Sequence, residues 1–180
     1  MSVAEDLREA VRAEESTVAA QAAGRGKLLS YVLLKAGVQA VLLYRLSRWC
    51  LEHRLRLFAY LIALISNYLT GADLPPTAQF GPGLMVLHPT GVVVSGGVKA
   101  GARLRLHTGV VLGFQTAGKN ERGVPTLGDD VMIGVGAKVL GPVRIGDRVK
   151  IGANAVVLED VPDDTSVVGV PARAVDSLNA

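Results

Sequence analysis

Three residues in the middle of this chain, Asp73, His88 and His107, have the types and spacing to move a proton. Histidine is the natural neutral-pH general base, able to take a proton from a hydroxyl or amine as that group attacks an activated acyl carbon. A carboxylate on its second ring nitrogen holds the tautomer and stabilises the imidazolium. Asp73 is the only carboxylate between Glu52 and Glu121, so it alone is near enough for that role. Each residue also has a plainer reading. A histidine on an outer corner can be solvated surface, and Asp73 can cap the helix that precedes it. His53 reads as surface. No His/Cys set has metal-ligand spacing, and no Gly-rich phosphate loop of strand-to-helix type occurs.

The elements that must position these residues show in a six-residue repeat. Aliphatic residues stand at Leu127, Ile133, Val139, Ile145, Ile151 and Val157, and glycine follows at Gly128, Gly134, Gly146 and Gly152. Small or β-branched residues stand four positions on, from Val131 to Val161. A hexapeptide period marks a β-helix. Three such rungs make one coil, and the inward aliphatics stack into one core. Counting back by six gives Leu74, Phe80, Val86, Val92, Val98, Leu104 and Val110. The step from Val110 to Leu127 is one hexad plus a surplus of about eleven. The expectation is a mainly β protein, a parallel β-helix of about four coils. A polar, basic excursion at 114–125 leaves it, and long loops on rigid scaffolds commonly carry function. His107 follows His88 by three hexads and one position. The two should then lie on neighbouring coils, one step out of register.

The N-terminal part reads as helical. Residues 3–16 suit a charged, solvent-facing helix and 17–26 a linker. Leu28–Cys50 and Leu55–Leu69 are apolar helical stretches, the first interrupted at Gly37, with a break at Glu52–Arg54. Lys35, Arg45 and Arg48 in the first, and the shortness of the second, favour packing helices over membrane spans. A hairpin lying on a membrane surface is the alternative. The expected division is 1–72 helical region, 73–175 β-helix and 176–180 tail.

Composition narrows the class. Hydrophobic residues make 49% of the chain, enough for a core. Aromatics at 4% and 21 glycines suit thin coils with turns at every corner. A net charge of +3, with no basic cluster interleaved with aromatics, is not a nucleic-acid signature. The single Cys50 excludes an intrachain disulfide, and no secretory signal pattern is present. A cytoplasmic protein is expected, with the inner membrane face as the alternative place of action.

From Tyr44-Arg45 to Val175, about 130 of 180 residues, the chain resembles the serine acetyltransferase group of left-handed β-helix acyltransferases. The resemblance is carried by GADLPPTAQFGPGLMVLHPTGVVV, by VMIGVGAKVLGPVRIGDRVKIGANAVVLEDVP and by the closing GVPARAV. It implies a homotrimer, which can pair into a dimer of trimers, with acetyl-CoA as co-substrate in clefts between subunits and no metal. It puts the base on His88 and its partner on Asp73. It puts the CoA contacts near Gly113, Val135, Lys150, Ala153 and Pro171-Ala172-Arg173. The chain also departs from the family. Leu87 stands where the group has Asp before the base. Gly123-Val124-Pro125 replaces Arg-His-Pro, and no Arg-Asp-Pro-Ala stretch occurs in residues 17–35. Phe114 stands where the group tends to have Gly. The missing Asp and Arg-His are the groups that hold a zwitterionic amino acid, and buried polar recognition can be worth orders of magnitude. Arg122 and His107 are the candidates to rebuild that clamp. The tail does not end in Ile, so docking to a cysteine synthase is not expected. The expected function is acetyl transfer from acetyl-CoA to the hydroxyl of a small molecule or glycan other than free serine: a sugar, a glycan or a natural-product intermediate. Serine itself and a non-catalytic trimeric scaffold are the alternatives.

Overall fold

The computed structural model describes residues 35–114 and 123–175. The expected helix over 3–16, the linker at 17–26, Arg122 with most of the excursion, and the tail at 176–180 lie outside them. Two helices come first, α1 (Ala36–Glu52) and α2 (Arg56–Thr70). Fourteen short strands follow, from β1 (Gln79–Phe80) to β14 (Arg173–Val175). The first thirteen stack into three parallel sheets, the walls of a left-handed β-helix, and β14 folds back antiparallel on the second. The first wall has the order β1 (Gln79–Phe80), β4 (Lys99–Ala100), β7 (Thr126–Leu127), β10 (Arg144–Ile145). The second runs β2 (Met85–Leu87), β5 (Arg105–His107), β8 (Met132–Ile133), β11 (Lys150–Ile151), β13 (Ser166–Val168). The third runs β3 (Val93–Val94), β6 (Val111–Gly113), β9 (Lys138–Leu140), β12 (Val156–Val157).

The hexad positions form the core. All seven early members and all six late ones are buried. Each rung contributes two inward residues, as alternation in a strand requires: Val131 with Ile133, Ala137 with Val139, Val149 with Ile151. From β7, β8 and β9 to β10, β11 and β12, paired residues are three hexads apart, as in Arg144 with Thr126 and Lys150 with Met132. The last coil is shorter, with Lys150 paired to Ser166. One corner column is held in the left-handed region by Gly71, Gly91, Gly109, Gly136 and Asn154. A side chain at Gly136 would run into the Asn154 amide, so that corner needs glycine. A second left-handed column reads Gly83, Arg103, Asp130, Arg148, Asp164. Its charges alternate down the stack. Arg103 and Arg148 each make a forked pair with the aspartate of the next coil, at 2.6 Å from Nε in both cases. The arginine forks hold the Asp130 and Asp164 carboxyls below the usual carboxylate range.

A β-helix has open sheet edges at both ends, and these must be covered. At the first coil α1 does most of this. Buried Tyr44 donates its hydroxyl to the Ala78 carbonyl at 2.9 Å and accepts from the Phe80 amide at 3.3 Å. Arg45 donates to the Phe80 and Gly81 carbonyls, and Arg48 to Ala78. Gly37 meets the Val86 carbonyl on the edge of β2 so closely that a Cβ there would overlap it. It lies in the first turn of α1, which begins at Ala36 after an extended Lys35, and the stretch before residue 35 lies outside the described residues. The third edge is closed by Asp73, whose backbone bridges to Val93. At the far end Val161 bridges to Ile145, β14 pairs antiparallel with β13, and Gly169 and Ala172 bond to Val156. No helix among the described residues is long and apolar enough to cross a membrane.

Candidate active site

The strand register shows where His88 comes from. Leu87 pairs with His107, an offset of 20, while Val93 pairs with Val111, an offset of 18. Two extra residues therefore sit between Leu87 and Val93. Thr90 and Gly91 already keep the regular three-hexad step, since Thr108 and Gly109 both bond to the Thr90 carbonyl. The extra pair is His88-Pro89. His88 is held in the left-handed region at φ 56 and is exposed, and Pro89 is buried behind it. The side chain is thus pushed out at the corner between the second and third walls.

This corrects two expectations. The surplus of eleven is not all in the excursion: Leu112 pairs with Val139, an offset of 27, which leaves nine residues looped out there and two at His88. Uniform coils would place His107 beneath Pro89, but it lies beneath Leu87. The two histidines are on neighbouring coils, with the one-step offset in the opposite sense. The hexad count survived because Val92, Val98, Leu104 and Val110 take the first inward place of their rung instead of the second.

His107 is half-buried, and its Nδ1 lies 2.7 Å from the Ile133 carbonyl oxygen. A carbonyl only accepts, so Nδ1 carries the proton and Nε2 of the neutral ring keeps its lone pair. Asp73 is exposed at the top of the third wall, directly above Val93. Its amide bonds to the Val92 carbonyl, and the Val94 amide bonds back to it. Among the described residues, no hydrogen bond joins the Asp73 carboxylate to the His88 ring. They share the corner through the backbone ladder, in which the Gly91 amide bonds to Gly71.

The other expected residues divide by position. Val135 and Ala153 lie on the same corner as His88, further down the stack: Gly136 bonds to Thr108, and Asn154 to Val135. Pro171 follows on that corner, because residues 169–172 bond to Val156. Lys150 is exposed on the second wall, and exposed Arg173 lies in β14, 3.8 Å from Glu159. Gly113 is different. It ends β6 at the opposite edge of the third wall, so one chain does not bring it to His88. The sequence reading missed an apolar outer strip. Val93 is 41% exposed beneath Asp73, with Val111 below it. The signal was the run Val92-Val93-Val94, whose middle member must face outward in a strand. Among the described residues no cluster of His, Cys, Asp or Glu is arranged to hold a metal.

Known proteins share this fold and this site-bearing stretch. The family model described as bacterial transferase hexapeptide (six repeats) matches residues 125–159. Serine acetyltransferase of Synechococcus elongatus is 39% identical over 147 residues, covering 82% of this chain and 60% of that protein. Serine acetyltransferase of Helicobacter pylori is 40% identical over 144 residues, covering 80% of this chain and 84% of that one. The crystal structure of the Brucella abortus serine acetyltransferase in complex with coenzyme A superposes with a TM-score of 0.85 at 32% identity, over 96% of this chain and 67% of that one. The chain belongs to the serine acetyltransferase family of hexapeptide-repeat proteins. It spans only about 60% of the Synechococcus relative's length.

Proposed function

We propose that this chain is an acetyl-CoA-dependent O-acetyltransferase, with serine as the acceptor. The observation that carries the reaction class is His88, raised on its own two-residue insertion at the corner whose backbone ladder also leads into Asp73. The relatives' names support serine over the non-serine acceptor that the sequence led us to expect. In this reading Asp73 turns toward the His88 ring once substrate is bound and fixes its tautomer. His88 takes the proton of the acceptor hydroxyl as its oxygen attacks the thioester carbonyl carbon. The carbon–oxygen bond forms, the carbon–sulfur bond breaks, and His88 passes the proton to the departing thiolate. A backbone amide near Gly113 steadies the oxyanion. Because Gly113 stands across the third wall from His88, that amide comes from a second copy, which makes a homotrimer part of the reading. The corner running from His88 past Val135 and Ala153 to Pro171 suits an extended arm, with Lys150 and Arg173 for its phosphates.

One observation favours a second reading. Leu87, paired with His107, supplies no charge next to His88, and Gly123-Val124 supplies none at the restart of the coils. A hydroxyl on a sugar or glycan needs no partner for an ammonium and a carboxylate. Thiol release from acetyl-CoA, measured with serine and in parallel with hydroxylated sugars, separates the two. Saturable turnover with serine at low-millimolar concentration supports the first; turnover with sugars alone supports the second. Silence with every acceptor, and no CoA binding, would support the scaffold.

A further inference from the structure

The face that α2 turns away from α1 belongs to no part of the site. After Arg56 the helix carries no charge. Its large residues point outward: Tyr68 is 84% exposed and Leu57 78%, with Phe58, Leu61, Leu64 and Ile65 between 44 and 57%. Its buried residues are small: Ala59, Ser66 and Thr70. A surface helix of a globular domain has the opposite arrangement, large apolar groups inward and polar groups outward. Small residues against the neighbouring helix and large ones outward is how helices pack when their surroundings are hydrocarbon. At 15 residues α2 cannot span a bilayer, but it can lie on one.

The chemistry of the rim selects the occupant. Exposed Arg54 and Arg56 stand at the head of α2. The chain has no carboxylate between Glu52 and Asp73, and Glu52 is engaged by Arg48 at 3.1 Å. The rim is therefore cationic, complementary to anionic headgroups. On the face itself the exposed polar groups after Arg56 are two tyrosine hydroxyls and the Asn67 amide. A protein interface carries about one hydrogen bond per 100–200 Å², whereas acyl chains require none.

We propose that α2 seats this protein on an anionic membrane surface, its outer face in the acyl boundary and Arg54 and Arg56 among the phosphates. The helix runs through Gly71 into Asp73, so the seated end leads to the His88 corner. This is independent of which acceptor is used. The test is flotation of the full-length chain with phosphatidylcholine vesicles, with and without phosphatidylglycerol. The wild-type chain should float with the anionic vesicles. Leu61→Glu with Leu64→Glu should weaken this at least tenfold at an unchanged thermal midpoint, and Arg54→Ala with Arg56→Ala should remove the preference for anionic lipid. Failure of the wild-type chain to float with either vesicle would overturn the proposal. So would equal flotation of the glutamate variant, or a fall in its molar mass, which would make the face an interface between protein chains.

Discussion

At the scale of single residues, the site is defined by how two histidines are held. His88 is on a two-residue corner insertion in the left-handed region, with no neighbour fixing its ring among the described residues. His107 is the reverse, locked by the Ile133 carbonyl. The two should respond differently to mutation. His88→Ala should lower turnover roughly 10²-fold or more while the circular dichroism spectrum and oligomer mass persist; near-normal turnover would remove His88 from the reaction. His107→Ala should raise KM for the acceptor by more than it lowers kcat and leave KM for acetyl-CoA unchanged. Steady-state kinetics with each substrate varied in turn distinguishes this from a structural effect, which would move all three. His88 and Asp73 could be picked out in the sequence because histidine and aspartate are rare in this stretch. The fixed tautomer of His107 could not be, since it depends on a carbonyl in the next coil.

At the scale of elements, the hexad made the coils legible and hid their irregularities. Each six-residue rung buries two alternate positions, so a shift of two residues exchanges one inward place for another and leaves the count intact. That is why the His88-Pro89 insertion was invisible and its two residues were assigned to the excursion. The helices were legible as apolar stretches, but their role was not. Tyr44, Arg45 and Arg48 serve carbonyls far along the chain, on the open edge of β1. Tyr44→Phe leaves the buried Phe80 amide without its hydroxyl acceptor and should cost about 1–2 kcal/mol in urea unfolding. Gly136→Ala puts a side chain into the Asn154 amide from a left-handed backbone, and should cost about 2 kcal/mol or more by the same measurement.

At the scale of the whole molecule, the β-helix is a column with both ends closed, a charge-alternating corner on one side and the His88 corner on the other. The alternating corner has a defined pH dependence. Asp130 and Asp164 have depressed pKa values because of the arginine forks beside them. Their contribution to stability is present above the ordinary carboxylate range and is lost as pH falls through the depressed values. Urea midpoints should therefore drop in acid, below about pH 4, and Asp130→Asn with Asp164→Asn should flatten that drop. The pairs are exposed, so the effect is small and should shrink with added salt. The stack itself carries the reaction only if the chain transfers acetyl groups. The most direct test is thiol release from acetyl-CoA by the full-length wild-type protein with serine, against His88→Ala under the same conditions. The account predicts serine-dependent release that the substitution removes. Measurable CoA binding with no release for serine or any sugar, or release that survives His88→Ala, would contradict it.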